Sequence, residues 1–413
     1  MGSFSTPLSG LLAAQDQLQS VSNNLANIDT DGYKDQTLTF SDVFSQADVT
    51  NGSGDPIQTG VGVSVSSTTS NFTEGNLNPT GTASNMAVSG NGFFVTQSAN
   101  GAPNYTRAGD FTTNNQGQLT SPSGELLLGY PALGGVVNTS APLQPLQVTG
   151  VVSPAGASTT IAITANLNSA TAIGGSGASS SLPIYDSLGT AHTLTVNYTK
   201  TAANTWTYTV TMPSADIAGG VGTTTTLGGG TLNFDGSGVL TSTTGVTAIT
   251  IPPLADGATS PTSLSGPFGT AADPTITQTA LASATSATST DGFPSGTLSS
   301  YSVQSDGTIE GVFSGGNSLA LGQVAVASFA NSEGLASNGN NNYQPTPASG
   351  AAVIGVAGTG GRGTIVGGSV EQSNVDIATE FAKLIVAQQA YSANAKSVTT
   401  FNQVSQATLA MLQ

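Results

Sequence analysis

Apolar residues recur at alternating three- and four-residue steps near the N-terminus and predict a long helix there. Ser5 or Thr6 can cap this helix, and Pro7 suits its first turn. The helix is expected to run from Phe4 to Ile28 and to carry a narrow apolar seam suited to packing against another helix. This first seam comprises Leu11, Ala14, Leu18, Val21, Leu25 and Ile28.

The same spacing returns near the C-terminus, where a helix is predicted from Val375 to Gln413. Ser373 or Asn374 can cap it, and Asp376 falls in its first turn, where the helix dipole favours a carboxylate. Because exposed apolar seams are costly in water, we expect the two terminal helices to pair as a coiled coil. Periodicity alone is equally compatible with an ordinary α+β domain whose terminal helices close its core. The second seam comprises Ile377, Phe381, Leu384, Tyr391, Ala395, Val398, Leu409 and Leu412.

Between the helices, short alternating segments are separated by turn-forming Gly, Asn and Asp, which predicts a β-rich middle. Hairpins are expected around residues 90–92, 115–117 and 202–204. The only tryptophan, Trp206, is expected in the core.

Changes in composition near Gln147 and Asp291 predict an inserted mainly-β domain at residues 147–290, a stretch without Glu. The predicted fold class is therefore α+β and multidomain, with paired terminal coiled-coil helices, a discontinuous β domain and the inserted domain. The expected boundaries are a helical segment at 1–34, a connector at 35–70, the two halves of the β domain at 71–146 and 291–357, a Gly-rich connector at 358–372, and a helical segment at 373–413.

Composition excludes several function classes. Six Lys and Arg against 22 Asp and Glu give a net charge of −16, which disfavours nucleic acid as a partner. The absence of cysteine excludes disulfides and thiolate chemistry. No apolar run is long enough for a membrane helix and no secretory signal pattern opens the chain, so we expect no membrane insertion and, for an exported protein, another route. The only arginines, Arg107 and Arg362, would each join a carboxylate at a subunit contact or lie alone on the surface.

Motifs that could carry chemistry are weak. His192 lies near Asp186 and Ser187, but six residues of strand or turn do not build a hydrolase site, so we expect a surface strand histidine. Residues 358–363 match a dinucleotide-binding pattern, yet strand-like sequence follows where a helix is needed. Residues 29–32 resemble the start of a calcium loop whose final ligand position is occupied by a phenylalanine. We therefore predict no catalytic residue, no cofactor and no metal, and a protein that is not an enzyme.

Residues 22–34 resemble the signature of the flagellar rod, hook and hook-associated axial proteins. In this signature, amide side chains lie beside the helix seam, where they can bond backbone or a neighbouring helix, and an Asp-Gly pair ends the helix. Further matches, in the family's order and spacing, lie at residues 39–44, 92–94, 105–111, 128–131, 328–335, 373–376 and 384–391. The signature residues are Ser22, Asn23, Asn24, Asn27, Gly32 and Tyr33.

Among the branches of this family, hook subunits resemble the chain best, because of residues 40–44 and the large β insertion. The resemblance implies a structural subunit that polymerises into a curved, flexible tube outside the cell and transmits motor torque as a universal joint. It also implies type III export, assembly beneath a hook cap protein, and contacts with other copies of the chain, the distal rod protein and the hook–filament junction protein. Two alternatives stay open: another axial subunit, such as a distal rod or hook-associated protein, and a secreted β-rich adhesin or carbohydrate-binding module.

Overall fold

The structure is a computed structural model that describes residues 5–50, 56–245, 248–259, 263–270 and 273–411. Phe4 and Leu412, which the sequence places on the two helices, lie outside these residues. The chain divides into two compact units, the first formed by Met1–Thr149, Tyr301–Glu310 and Ala320–Gln413 and the second by Gly150–Ser300 and Gly311–Leu319. Neither of the helices in the described ranges has the length and apolar character needed to cross a membrane.

Two α-helices and many short strands make up the described residues. The helices are α1, Ser5–Ala26, and α2, Ile377–Met411. The strands up to residue 149 are β1 Gln36–Thr50, β2 Pro56–Ser70, β3 Leu77–Pro79, β4 Met86–Ser89, β5 Phe93–Gln97, β6 Pro103–Thr106, β7 Thr112–Thr113, β8 Leu119–Thr120, β9 Leu126–Leu133, β10 Val136–Val137 and β11 Gln144–Pro145. Those that follow up to residue 290 are β12 Val152–Ser153, β13 Ile161–Asn168, β14 Ser180–Tyr185, β15 Ala191–Ala202, β16 Thr205–Pro213, β17 Thr224–Phe234, β18 Leu240–Gly245, β19 Ala248–Ile249, β20 Leu264–Ser265, β21 Gly269–Thr270, β22 Asp273–Pro274, β23 Ile276–Thr279 and β24 Ala284–Thr290. The remaining strands are β25 Gly296–Val303, β26 Thr308–Phe313, β27 Ser318–Ser328, β28 Ala336–Gly339, β29 Asn342–Gln344, β30 Val353–Val356, β31 Thr364–Gly367 and β32 Ser369–Glu371.

The core of the first unit covers both faces of an antiparallel sheet whose strands follow the order β27-β9-β5-β6-β29-β28. Successive strand residues point to opposite faces, so a strand covered on both sides needs apolar residues without alternation. Strand β5 shows this, because Phe93 and Val95 join one apolar cluster while Phe94 joins the other. This double burial explains why Phe93–Val95 is a continuous apolar run.

The hairpin predicted around residues 90–92 is wrong. Strand β4 pairs with β31, whereas β5 pairs with β6, β9 and β27. Gly90 and Gly92 both have positive φ, and these two glycines turn the chain out of one sheet and into another. The other two predicted hairpins are confirmed, since β7 pairs with β8 and β15 pairs with β16.

The two segments that the sequence treats as connectors contain strands. Residues 35–70 include the long antiparallel hairpin of β1 and β2. Residues 358–372 include β31, which pairs with β4, and β32, which pairs with β3. Thr364 begins β31 directly after the glycine-rich turn, as expected for strand-like sequence at that position.

The second unit contains a five-stranded antiparallel sheet in the order β14-β15-β16-β17-β18 and a three-stranded sheet in the order β23-β13-β24. Both contribute to one apolar cluster. Trp206 is fully buried in this cluster, as predicted, and its indole Nε1 donates a hydrogen bond of 2.8 Å to Oε1 of Gln278. The pairing satisfies the single polar atom of the largest core side chain.

Candidate assembly interface

The signature segment at the end of α1 is held by one buried amide. Asn24 is 1% exposed, and its Nδ2 donates to Oδ1 of Asp35, to the carbonyl oxygen of Gln36 and to Oε2 of Glu380 on α2. Its Oδ1 accepts hydrogen bonds of 3.0 Å from the Tyr33 hydroxyl and the Gln36 N–H. Every donor and acceptor of the amide is therefore occupied, and the end of α1 is fixed to the start of β1 and to α2.

The other signature residues fix the local geometry at the end of α1. Asn27 donates from Nδ2 to the carbonyl oxygen of Asn23 one turn earlier, at 2.8 Å. Gly32 has φ +69°, and a Cβ there would overlap the backbone of Ala108, so only glycine fits. Ser22 and Asn23 are exposed and leave one face of α1 polar.

A buried ion network joins the signature to the last strand before α2. The Lys34 ammonium lies 2.5 Å from Oε1 of Glu371, and Nη1 of Arg107 lies 3.3 Å from Oε2 of the same carboxylate. Glu371 is completely buried, and its Oε1 also accepts from the Gly75 N–H at 2.8 Å. Lys34 reaches a further acceptor, the carbonyl oxygen of Thr73. One carboxylate thus contacts two cations that are distant in sequence from it.

The arginine prediction needs a correction, because Arg107 meets its carboxylate inside the chain rather than at a subunit contact. Its guanidinium is buried and also donates to the carbonyl oxygens of Val88 and Gly90. Arg362 closes its own turn by donating from Nε to the carbonyl oxygen of Val356 and from Nη2 to Thr359.

Burial and neighbouring charges shift the pKa values of the groups around this junction. Burial, followed by the charges of Asp35 and Glu380, raises the pKa of Tyr33 to about 12, so its hydroxyl stays protonated and donates to the Asn24 amide. Burial also raises the pKa of Asp35, although the Lys383 ammonium opposes this shift. Burial lowers the pKa of Lys34 against the opposing effect of Glu371.

The start of α2 differs from the predicted cap. Asp376, rather than Ser373 or Asn374, caps the helix, because its Oδ1 accepts from the Thr379 N–H at 2.7 Å. Hydrogen bonds from the backbone and side chain of Thr379 lower the pKa of Asp376. Asn374 instead accepts from the Asp35 N–H and donates to the carbonyl oxygen of Asn71, which ties the start of α2 to the region after α1.

The two terminal helices lie against each other in antiparallel orientation. Asn24 bonds Glu380 near one end of the contact, and a Cβ added to Gly10 would lie 3.0 Å from the Asn394 side chain near the other. Asn24 and Gly10 are fourteen residues apart, as are Glu380 and Asn394, so the register is constant along the contact. Because Gly10 has no side chain beyond hydrogen, the two helices can approach closely at this position.

Residues of the first predicted seam face inward. Ala14 and Val21 are buried. The other four are half-buried, namely Leu11, Leu18, Leu25 and Ile28.

The second predicted seam coincides only in part with the face that α2 turns towards α1. The buried residues of α2 are Glu380 and Ala387, while Leu384, Ala395 and Val398 are half-buried. Strict apolar spacing did not include Glu380, a buried carboxylate at the start of this face that accepts from Asn24. Four seam residues are exposed in the single chain, namely Ile377, Phe381, Tyr391 and Leu409.

The second helix extends beyond the first. In the observed register Ser5 lies opposite Thr399, so residues 400–411 continue for about 18 Å past the described start of α1, at 1.5 Å per residue. Each of these residues is exposed, including Val404, Leu409 and Met411. The β1–β2 hairpin adds further exposed apolar side chains, with Phe44 at 60%. The first unit therefore presents apolar surface that its own fold leaves uncovered.

Comparisons with known proteins match several parts of the chain. Four family models match: "Flagella basal body rod protein" at residues 4–34, "Flagellar hook protein FlgE/F/G D1 domain" at 87–177, "Flagellar basal body protein FlaE D2 domain" at 175–293, and "Flagellar basal body rod FlgEFG protein C-terminal" at 366–411. Together they cover both helices and most of the β-rich middle.

Similar proteins and a solved structure point the same way. The flagellar hook protein FlgE of Salmonella typhimurium is 36% identical over 417 residues, covering 97% of this chain and 98% of that protein. The flagellar hook protein FlgE of Treponema pallidum is 31% identical over 454 residues, covering 97% of each chain. The crystal structure of a flagellar hook protein from Helicobacter pylori superposes with a TM-score of 0.50 at 15% identity, covers 71% of this chain and 100% of that chain, and shares its fold.

Proposed function

The chain belongs to the flagellar hook protein family and is a structural subunit of the hook, and we propose that its two terminal helices build the tube by packing against those of neighbouring copies. The family is structural rather than enzymatic. In this proposal the helices form a coiled-coil layer along the polymer, and the β-rich part of each copy projects from it. The observation that carries the proposal is the exposed apolar surface of α2.

Exposed apolar residues on α2 supply the attraction between copies. Ile377, Phe381 and Ile385 are exposed at four-residue intervals, which places them on one helix face. Burying each such side chain contributes about 1.5–3 kcal/mol. Few charges oppose this packing, because Lys396 is the only charged residue between Val386 and the end of the chain.

The part of α2 that extends past the described start of α1 would set the direction in which copies add along the tube. Residues 402–411 lie past the described start of α1, and Val404, Leu409 and Met411 among them are exposed apolar side chains that suit helix packing. An overhang on one chain can occupy the space beside the next chain in the same row. Heterologous contacts of this kind produce an open helical polymer when the rotation between copies does not close a ring.

The β-rich units suit contacts that change as the tube bends. We assign the β domain proposed from sequence at 71–146 and 291–357, and the insertion at 147–290, to this outer part of the subunit. Its surface carries many Thr, Ser and Gly residues and few charges, so each contact between copies is weak and exchanges easily. Strong helix contacts and weak β contacts together would give a universal joint. The distal rod protein, the cap protein, the hook–filament junction protein and type III export follow as proposed partners from the family.

Serine substitutions on the overhang test this proposal. The variant Val404→Ser with Leu409→Ser removes two exposed apolar side chains, and Gln403→Ser with Gln406→Ser is the matched control on the same exposed segment. We expect the control and the native chain to form curved tubes when concentrated in precipitating salt, and the apolar variant to stay monomeric, as seen by sedimentation and negative-stain electron microscopy. Equal polymerisation of both variants would contradict the role of the overhang, and straight tubes would favour a rod subunit.

A further inference from the structure

Three carboxylates surround the only imidazole of the chain, in the second unit. His192 at the start of β15 is buried, which corrects the prediction of a surface histidine. Its Nε2 lies 3.1 Å from Oδ2 of Asp186 and 3.9 Å from Oδ2 of Asp256. On the other side of the ring, Nδ1 lies 3.4 Å from Oδ2 of Asp216.

Each carboxylate on the Nε2 side is oriented by its own turn. Oδ1 of Asp186 accepts from the backbone N–H groups of Leu188 and Thr190 at 2.8 and 2.9 Å. Oδ1 of Asp256 accepts from the Ala258 N–H at 3.0 Å. In both groups Oδ2 is left to face the imidazole. These hydrogen bonds fix the direction of two oxygen donors before any ligand binds.

Backbone hydrogen bonds hold the contributing segments together. The Ala255 N–H donates to the carbonyl oxygen of Asp216 at 2.9 Å, which places the Asp256 turn beside the turn that carries Asp216. The Thr259 N–H donates to the Ser187 hydroxyl at 2.9 Å, which ties the Asp256 turn to the β14–β15 turn. The cluster is therefore built by paired segments and not by independent surface loops.

A neutral ring cannot satisfy carboxylates on both of its sides, so the arrangement needs either a second ring proton or a bound cation. Nδ1 is buried and forms no hydrogen bond to any described residue. A neutral imidazole has one proton for two nitrogens, so one of its nitrogens would face a carboxylate with a lone pair against a lone pair. A cation beside Nε2 removes this conflict, because it binds the lone pairs of Nε2 and both oxygens and leaves the single ring proton on Nδ1, 3.4 Å from Oδ2 of Asp216. Metal-binding histidines typically have a carboxylate or another acceptor at the second ring nitrogen.

The distances suit a transition-metal ion. The donor atoms of Asp186, His192 and Asp256 all lie within 4.8 Å of one another. Ligands at about 2.1 Å from a tetrahedral zinc ion are about 3.4 Å apart, which falls between the two distances at Nε2. A nitrogen donor with two carboxylates favours zinc, cobalt or manganese over calcium and magnesium, which prefer oxygen ligands alone.

We propose that Asp186, His192 and Asp256 bind one divalent transition-metal ion of the zinc class, with Asp216 as the positioning residue for the imidazole. The ion would tie the β14–β15 turn to the Asp256 turn. This site is independent of the polymerisation surface on the terminal helices.

The test uses the full-length chain without a histidine tag, freed of metal by a chelator. Zinc sulfate is titrated by calorimetry, and cobalt chloride is titrated by visible absorption, which reports tetrahedral coordination. We expect one ion per chain and a raised unfolding temperature, followed by the fluorescence of Trp206 in the same unit. His192→Gln should abolish the cobalt spectrum, because no other imidazole exists in the chain.

A matched pair of variants separates a metal site from a general effect of charge. Asp256→Asn keeps the turn oxygen but removes a ligand, and zinc affinity should fall at least ten-fold. Asp235→Asn removes the same charge from a similar turn, where Oδ1 accepts from the Ser237 N–H at 2.9 Å, and should change affinity less than two-fold. Asp216→Asn should weaken binding about ten-fold with the stoichiometry unchanged. Absence of zinc binding to the native chain, equal losses in the first two variants, or calcium binding as tight as zinc binding would each overturn the proposal.

Discussion

Replacing Glu371 by glutamine tests the buried junction between the two ends of the chain. The substitution Glu371→Gln keeps the shape of the side chain but removes the single negative charge that both Lys34 and Arg107 contact. The glutamine side chain also carries an N–H donor, which would face Lys34 and Arg107, and both of these are donors themselves. Breaking a buried ion pair on one side costs about 3–5 kcal/mol, because an uncompensated charge stays buried. A loss of that size is a large part of the stability of an ordinary domain.

The pH dependence of this loss has a definite sign. Burial lowers the pKa of Lys34 below its ordinary value of 10.5, and Glu371 opposes that shift. In the variant this opposition is gone, so the folded-state pKa of Lys34 falls further. A buried ammonium destabilises the fold fully below its folded pKa, and the penalty disappears as pH rises from that value towards 10.5. The difference between variant and native chain should therefore shrink from pH 7 to pH 10.

Hydrogen exchange in a urea series measures this effect where it acts. The amides of β3 and β32 should lose protection at lower urea in Glu371→Gln than in the native chain. The control is Glu310→Gln in the same unit, whose carboxylate accepts one hydrogen bond from Gln304 and has no cation partner among the described residues. A loss of unfolding free energy under about 1 kcal/mol in Glu371→Gln, or a loss equal to that of the control, would refute the reasoning.

Two further substitutions test packing in the first unit. Asn24→Ala leaves several buried donors and acceptors unpaired, so it should lower the free energy of unfolding by about 2–4 kcal/mol and expose α1 to hydrogen exchange. The control Asn23→Ala, on the exposed face, should lower it by under about 0.5 kcal/mol. Equal losses would show that the Asn24 amide does not hold this junction together. Gly109→Ala would drive a Cβ into the carbonyl oxygen of Met86 and should lower the thermal unfolding temperature by about 10 °C or more. The control Gly60→Ala, with open space around it, should change this temperature by less than about 3 °C. Similar shifts of the two variants in differential scanning fluorimetry would contradict the packing argument.

Features encoded locally were predictable from the sequence. The repeat of apolar residues predicted the ends of both helices to within two residues of the described ends. The turn residues at 202–204 predicted the β15–β16 hairpin, where Asn204 takes a positive φ. The glycines at 90 and 92 mark a turn equally well, yet the strands on either side do not pair with each other: β4 pairs with β31 in another sheet, and β5 pairs with β6, β9 and β27. Turn residues specify a change of direction and not the next pairing partner.

Features built from distant residues were not predictable. Lys34 and Glu371 are 337 positions apart, and no local sequence pattern around either residue indicates that they pair. A solitary acid in a glycine-rich stretch was the only signal for Glu371. His192 was dismissed because its neighbours in sequence could not build a site, while Asp216 and Asp256 reach it through the fold. Part of the α2 face towards α1 was missed because one of its buried residues, Glu380, is a carboxylate.

A cryo-electron microscopy reconstruction of the polymer formed by the purified full-length chain tests the central claim most directly. The account predicts a curved tube in which Ile377, Phe381 and Ile385 are buried against the helices of neighbouring copies, while Val221, exposed in the second unit, stays outside that helical layer. A tube in which these three residues face solvent, or in which neighbouring copies touch only through their β-rich units, would contradict it.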